Sequence, residues 1–183
     1  MIDYPWTWLR QVHGNAVITV TEPGEAAGLA SDAVVTATAG AAIAVHTADC
    51  APVLLLADGA VGVVHAGWKG LASGVIEAAA AALVDLGHPP RQAILGPCIR
   101  ARCYEFGIDD LDHVADRYGP TVRSTTSWGS PALDVAAGVR AACDGLGVEL
   151  TDSAVCTACS PSHWSHRARA DAGRQALVAW IEP

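Results

Sequence analysis

Three segments of the chain carry side chains that bind metals or act as nucleophiles, and they centre on His13, Cys50 and His65. Cys50 follows His13 by 37 residues, and His65 follows Cys50 by 15 residues. No zinc finger has this spacing. Such separations are typical of ligands that a fold gathers from different elements, as in catalytic sites.

A hairpin is predicted to bring two of these residues together. Two apolar runs, at 53–57 and 61–65, are separated by Asp58-Gly59, which is a strong hairpin signal. Cys50 lies just before the first strand and His65 ends the second, so both belong to the same end of an antiparallel pair. The hairpin does not locate His13.

Two imidazoles and one thiolate suit Zn²⁺ and leave a fourth position for water or substrate. Copper accepts the same ligand types. A single His or Cys is more often a packed residue than a ligand, so the argument rests on their convergence. We therefore predict that His13, Cys50 and His65 hold Zn²⁺, with Cu²⁺ as the other candidate ion.

Residues beside the predicted ligands allow two interpretations each. Asp49 is a general base or orients a nucleophile, or else it caps a turn or holds His65. Lys69, the only lysine, lies at a glycine-flanked helix start, where it binds an anion or is simply solvated. Trp68 stacks on a base or packs against its neighbours. His46 is a weaker ligand candidate four residues before Cys50.

The remaining cysteines raise the question of a second site. Cys156-Thr157-Ala158-Cys159 is a metal or redox pattern, and His163 and His166 follow it closely enough to complete a small site. The second half of a zinc motif is absent, so a structural role is the alternative. We expect Cys98 and Cys103 to pack around a turn, and we expect no disulfides in a reducing cytosol.

The hydrophobic pattern predicts an α+β fold in a single domain spanning residues 1–183, because strands and helices do not alternate strictly. Helices are expected at Leu71–Leu86, Asp109–Tyr118 and Asp134–Leu146, the first ended by Gly87 and the last by Gly147. The predicted strands are Ala16–Val20, Ala33–Thr36, Ile43–His46, Val53–Ala57, Val61–His65, Gln92–Leu95, Ser153–Cys156 and Leu177–Ile181.

Composition excludes some function classes. The formal net charge of −8 and the lack of a basic cluster argue against nucleic-acid binding. The N-terminus does not have the pattern of a signal peptide, and no apolar run approaches the ~20 residues that span a bilayer. We therefore expect a cytoplasmic protein without a membrane partner.

Several motifs resemble those of the laccase-domain family, whose members are called multicopper polyphenol oxidases, purine nucleoside phosphorylases or peptidoglycan editing factors. The resemblance runs from about Gln11 to the C-terminus, and the Asp-Cys and His-Ala-Gly-Trp motifs are the most specific. The motifs are Gln11-Val12-His13-Gly14, Ser31-Asp32-Ala33-Val34-Val35-Thr36, Thr47-Ala48-Asp49-Cys50-Ala51-Pro52, His65-Ala66-Gly67-Trp68-Lys69-Gly70, Gly96-Pro97-Cys98-Ile99, Tyr104-Glu105-Phe106-Gly107, Cys156-Thr157, and Arg167 through Gly173-Arg174-Gln175.

The resemblance implies mixed β-sheets flanked by helices, in a fold similar to the catalytic domain of cytotoxic necrotizing toxins. It also implies one zinc bound by His13, Cys50 and His65, phosphorolysis of purine nucleosides, and adenosine deamination as a side activity. Asp49, Cys50 and Lys69 then become catalytic candidates. Gln11, Trp68 and Arg167 become candidates for substrate binding, with a purine nucleoside and phosphate as small-molecule partners of a monomer or weak oligomer.

The sequence departs from the family pattern in two places. Members usually carry a further N-terminal segment with a Thr-Thr-Arg-x-Gly-Gly motif, whereas this chain begins almost at its first motif as an N-terminally short member. The paired arginines near the C-terminus are split here as Arg167-Ala168-Arg169. We therefore expect the metal site to persist and a phosphate-binding Arg to be missing, unless Arg10, Lys69 or Arg167 substitutes.

Three other functions fit the same residues. A copper-dependent polyphenol oxidase is one, although the seven His include no His-x-His pair of the kind that multicopper laccases need. A metal-free cysteine hydrolase in peptidoglycan precursor editing, with Cys50 as nucleophile and His65 as base, is the second. The third is a non-catalytic zinc-binding module.

Overall fold

A computed structural model describes residues 3–183 of the chain. Its largest sheet has six strands in the order β10-β7-β5-β6-β3-β2 and mixes parallel with antiparallel pairs. The strands are β2 (Val17–Val20), β3 (Ala33–Thr36), β5 (Ala51–Ala57), β6 (Ala60–Ala66), β7 (Gln92–Leu95) and β10 (Glu149–Asp152).

The predicted hairpin forms the centre of this sheet. β5 and β6 pair antiparallel, and Ala57 lies opposite Ala60 across the Asp58-Gly59 turn. Gly59 has φ +76°, a left-handed conformation that glycine adopts without steric cost. The prediction of a hairpin at this position is therefore confirmed.

A second sheet covers one face of the first. It has three strands in the order β1-β4-β11, namely β1 (Trp6–Trp8), β4 (Ala42–Thr47) and β11 (Gln175–Ala179). Between the sheets, Val34 and Val63 of the large sheet share a buried cluster with Ile43 and Val45 of the small one. Alternate residues of each strand point to opposite faces, so the same two strands of the large sheet also bury Val35 and Val64 on the other side, against the helices.

Helices cover that other face. They are α1 (Trp68–Ala72), α2 (Val75–Asp85), α3 (Ile108–Tyr118), α4 (Val135–Leu146) and the short α5 (His166–Arg169). The buried side chains of α2 and α4, among them Ile76, Leu83 and Val139, pack on the central strands. The α+β architecture of mixed sheets flanked by helices is confirmed.

The continuous helix predicted over Leu71–Leu86 is wrong. The helix is interrupted between α1 and α2, where Gly74 adopts a left-handed conformation with φ +80°. A Cβ on Gly74 would fall against the guanidinium of Arg117, so α3 packs closely at the break. The predicted end at Gly87 is right, because Gly87 has φ +85° and its N–H bonds the carbonyl of Val84.

The strand predicted at Ser153–Cys156 is also wrong, because the strand is β10, four residues earlier. β10 lies at the sheet edge and carries Glu149 and Asp152, so it lacks the apolar run that usually marks a strand. Three short strands were not predicted: β1, β8 (Arg123–Thr125) and β9 (Pro131–Leu133), of which β8 and β9 pair only with each other.

No helix within residues 3–183 has the length and apolar character needed to cross a membrane.

The strand order explains how a site forms at one end of the large sheet. β6 lies between β5 and β3, so residues just before β3 and β5 lie beside the end of β6. Asp32 precedes β3, Cys50 precedes β5, and His65 lies near the end of β6.

Candidate metal centre

The structure brings His13, Cys50 and His65 together. One ligand atom of each lies within 4.8 Å of those of the other two. The Cys50 Sγ atom is 3.8 Å from the His13 Nε2 atom, and the two imidazole rings stand edge to face with their centroids 4.8 Å apart. His65 is buried, Cys50 is half-buried and His13 is exposed, so the cluster opens toward solvent.

Asp32 organises two of the three side chains. Its carboxylate is fully buried and accepts the backbone N–H groups of Val12, His13 and Gly14 at 3.2, 2.9 and 2.7 Å. The same carboxylate lies 2.8 Å from His65 Nδ1. With the Nδ1 proton directed at Asp32, the Nε2 atom of His65 is left to face the cluster, which is the arrangement of a metal-ligating histidine.

The loop that carries His13 is held in an unusual conformation. His13 has φ +60°, which non-glycine residues rarely adopt. Two glycines after β6 allow this loop to approach: a Cβ on Gly67 would lie 2.6 Å from His13 Cδ2, and a Cβ on Gly70 would lie 2.7 Å from the Gly14 carbonyl oxygen. Glycine is therefore required at both positions by the close approach.

The electrostatics of the cluster favour a thiolate. Burial alone would raise the pKa of Cys50, but hydrogen bonds to His13 and His65 and their charges outweigh it and lower the pKa to about 6. Burial would lower the pKa of His65, but the hydrogen bonds and charges of Asp32 and Cys50 raise it to about 9. Zn²⁺ binds a thiolate and neutral imidazoles, so its binding would displace the proton that the raised pKa keeps on His65. The donor set of two imidazoles and one thiol fits Zn²⁺.

The cluster lies in a cavity of about 490 Å³. Gln11 lines it, but both ends of the Gln11 amide bond the backbone of His46, each at 2.8 Å. The hydroxyl of Thr47 is buried at the cavity wall and has no hydrogen-bond partner among residues 3–183. The complete lining is Gln11, His13, His46, Thr47, Ala48, Cys50, His65, His166 and Arg174.

Asp49 lies beside Cys50 but points elsewhere. It is buried and has φ +99°. One carboxylate oxygen accepts the Thr157 hydroxyl at 2.6 Å, and the other accepts the backbone N–H of Arg167 at 2.6 Å. Its carboxylate thus ties the loop before β5 to the C-terminal segment, and His65 is held by Asp32 instead.

Three other residues singled out from the sequence lie outside the lining of this cavity. Trp68 packs edge to face on Phe106 at 5.4 Å, and the Lys69 Nζ atom lies 5.4 Å from the Trp68 ring centroid. The Arg167 guanidinium lies 5.0 Å from the Tyr104 ring centroid, and Arg167 lines a separate cavity of about 550 Å³. Of the predicted substrate-binding residues, only Gln11 lines the metal cavity.

Sequence reasoning missed the residues that complete the site. Asp32 belongs to the motif at 31–36, but the sequence analysis gave it no role of its own. A charged residue directly before a fully buried strand is unusual and could have indicated a functional position. His166, which was considered with the Cys156–Cys159 pattern, lines the metal cavity instead, together with Arg174. Nothing local in the sequence places these two residues near His13.

The geometry agrees with the comparison to known families. A model of the family described as multi-copper polyphenol oxidoreductase laccase matches residues 1–182. The chain belongs to this family.

Relatives and solved structures extend the comparison. The chain is 47% identical to purine nucleoside phosphorylase ORF3 of Streptomyces griseus over 183 residues, which cover 96% of this chain and 74% of that protein. It is 42% identical over 181 residues to purine nucleoside phosphorylase SCO2081 of Streptomyces coelicolor, with the same coverage. A crystal structure of Neisseria meningitidis protein NMB0706 superposes with a TM-score of 0.87 at 31% identity, covering 98% of this chain and 76% of that one.

Replacing Asp32 by Asn tests the role of the carboxylate. Asp32→Asn removes the charge that orients His65 and holds the His13 loop, so we expect zinc affinity to fall about 10–100-fold. We also expect the free energy of unfolding to fall by about 2 kcal/mol, because buried hydrogen bonds to a charged group are lost. Competition with a chromophoric chelator and urea denaturation measure the two effects. Unchanged zinc affinity, as expected for the exposed control Asp85→Asn, would contradict this role.

Two matched glycines test the close approach at His13. Gly67→Ala places a methyl group against the His13 ring and should weaken zinc binding about tenfold or more in the same chelator competition. Gly107→Ala is the control: Gly107 has nearly the same backbone angles at a helix N-cap, but its added Cβ meets no atom within 4 Å. Equal zinc affinities for the two variants would show that the His13 loop tolerates displacement.

Proposed function

We propose that this chain is a zinc-dependent purine nucleoside phosphorylase whose metal is held by His13, Cys50 and His65. The observation that carries the proposal is the convergence of these three donors in a cavity whose wall also carries the basic side chains of His166 and Arg174. The names of the Streptomyces relatives support the reaction class. Adenosine deamination, in which water attacks C6 of the purine and the amino group leaves as ammonia, is proposed as a side activity of the same cavity.

The cavity wall supplies groups suited to phosphate. Arg174 and His166 are exposed at the wall and suit a phosphate dianion, because charge-assisted hydrogen bonds to phosphate are among the strongest that proteins make. Gln11, fixed by the backbone of His46, keeps the wall rigid beside the ligands.

In the proposed reaction a phosphate oxygen attacks C1′ of the ribose while the bond between C1′ and N9 of the purine breaks. The electron pair of that bond leaves with the purine, and the proton of monohydrogen phosphate ends on the purine. Zn²⁺, when bound, supplies Lewis-acid stabilisation of negative charge on an oxygen of the reactants. The chain's own contribution is to hold the two reactants together in a cavity of limited size.

The remaining catalytic candidates are assigned by their contacts. We propose that Asp49 is a positioning residue, because both of its oxygens are already bonded to the C-terminal segment. The predictions that Lys69 binds phosphate and that Trp68 and Arg167 bind substrate stay predictions, since all three side chains lie outside the lining of the metal cavity. Trp68 packs on Phe106, and Lys69 lies over the Trp68 ring. Arg167 lies over the Tyr104 ring.

Two alternative functions have support of their own. The donor set of two His and one Cys also suits copper, in line with the family's description as a polyphenol oxidoreductase. A metal-free cysteine hydrolase is favoured by the pKa of Cys50, about 6, next to two imidazoles. If the chain were instead a non-catalytic zinc-binding module, it would bind zinc but would not turn over a nucleoside.

Activity measurements separate these functions. We expect phosphate-dependent release of adenine or hypoxanthine from adenosine or inosine, lost on chelation and restored by Zn²⁺. Cys50→Ala should lower the rate at least about 100-fold, because it removes a metal ligand. Cys143→Ala, at a buried cysteine of α4, is the control.

Each alternative has a distinct outcome in this experiment. Phenol oxidation that rises in proportion to added copper, without nucleoside turnover, would replace the proposal with the oxidase. Turnover that resists chelators but is blocked by thiol alkylation would replace it with the hydrolase. Stoichiometric zinc without any turnover would leave only the metal-binding module.

Arg174 provides a test of the phosphate subsite. Arg174→Gln should raise the KM for phosphate about tenfold or more while changing the KM for the nucleoside little, because one charge-assisted contact to phosphate is lost. Arg140→Gln, at an exposed position of α4, is the matched control. Initial rates at varied phosphate measure the effect. A lower kcat at an unchanged KM for phosphate would contradict phosphate binding by Arg174.

A further inference from the structure

Three cysteines converge at a second place, away from the metal cavity. The Sγ atoms of Cys103, Cys156 and Cys159 all lie within 4.8 Å of one another, and those of Cys103 and Cys159 are 3.3 Å apart. Cys103 ends a single 3-10 turn at Ala101–Cys103, and the other two lie in the segment after β10. The fold therefore joins two distant parts of the chain at three sulfur atoms.

The backbone around Cys156 is already in a defined turn. The N–H groups of Cys159 and Ser160 both bond the carbonyl oxygen of Cys156, at 3.2 and 3.0 Å. Arg169 holds the turn from outside, since its guanidinium bonds the carbonyl oxygen of Ala158 at 3.1 Å. A turn of this kind places its two sulfurs on one side without needing a ligand.

The sulfur spacing suits a metal better than a disulfide. Zn–S bonds of about 2.3 Å in tetrahedral geometry place the sulfurs roughly 3.8 Å apart. The sulfurs of Cys103 and Cys159 are 3.3 Å apart and all three sulfurs lie within 4.8 Å of one another, so small side-chain shifts would bring them to this spacing. A disulfide requires an S–S distance of about 2.05 Å, joins only two sulfurs, and would leave the third thiol unpaired.

The charge around the cluster also suits a cation held by thiolates. Three thiolates and one Zn²⁺ carry a net charge of −1. The Arg102 guanidinium offsets part of this charge, since the neighbouring sulfurs of Cys159 and Cys156 raise the pKa of Arg102. The partners differ from those expected from the sequence, because His163 bonds the Ser160 hydroxyl at 2.7 Å and His166 lines the other cavity, whereas Cys103 joins the cluster.

We propose that Cys103, Cys156 and Cys159 form a second metal site, which binds one thiophilic divalent ion of the Zn²⁺ type through three thiolates. Binding releases the protons of the thiols, and water takes the fourth position on the side of Cys159, which is exposed. The site is structural: it fastens the 3-10 turn at Ala101–Cys103 to the segment that precedes α5. The proposal does not depend on the activity proposed above.

Metal stoichiometry under reducing conditions tests this site. Wild-type protein should bind two equivalents of Zn²⁺, whereas Cys159→Ser and Cys103→Ser should each bind one. Cys50→Ala, which disables the first site, should also bind one, and Cys143→Ala is the control that retains two. Wild-type stoichiometry in Cys159→Ser, or a single wild-type equivalent that disappears in Cys50→Ala, would overturn the proposal.

Cobalt provides a readout that depends on the sulfur ligands themselves. Titration of Cys50→Ala with Co²⁺ should produce thiolate-to-cobalt charge-transfer absorption in the near ultraviolet, which Zn²⁺ then displaces. Adding Cys159→Ser to this variant should abolish most of the absorption. If Cys50→Ala shows no such absorption, or if mass spectrometry shows a disulfide between Cys103 and Cys159 in the reduced, zinc-supplied protein, the metal site is excluded.

Discussion

The buried carboxylate of Asp32 is the constraint on which the metal centre depends. A buried charge is costly unless hydrogen bonds surround it. Here three consecutive backbone N–H groups and one imidazole N–H supply those bonds. The same four bonds fix the loop of His13 and the ring of His65. The hydrogen bonds that stabilise the buried charge of Asp32 therefore also position His13 and His65.

The sequence could predict the part of this centre that is local. Cys50 and His65 lie 15 residues apart at one end of a hairpin, and the turn signal between their strands determines how they meet. His13 and Asp32 could not be placed in this way. Their positions depend on the pairing of β3 with β6 and on a left-handed backbone at His13, and neither leaves a periodic pattern in the sequence.

The errors in the predicted elements have the same origin. A helix over Leu71–Leu86 satisfies every local preference except at Gly74, whose left-handed conformation is selected by tertiary contact with Arg117 of α3. β10 was misplaced because an edge strand paired on one side needs less apolar surface than a central one. The approach of Cys103 to Cys156 and Cys159 could not be predicted, because 53 residues separate Cys103 from Cys156 and only the folded chain joins them.

A single hydrogen bond connects the two cysteine sites. Asp49 directly precedes Cys50, and Thr157 directly follows Cys156. The buried carboxylate of Asp49 accepts a hydrogen bond from the buried hydroxyl of Thr157 at 2.6 Å. The second oxygen of Asp49 holds the first turn of α5, next to His166. Displacing the turn that carries Cys156 would therefore move the loop that carries Cys50. For this reason a structural ion at the three cysteines would also stabilise the cavity that contains His13, Cys50 and His65.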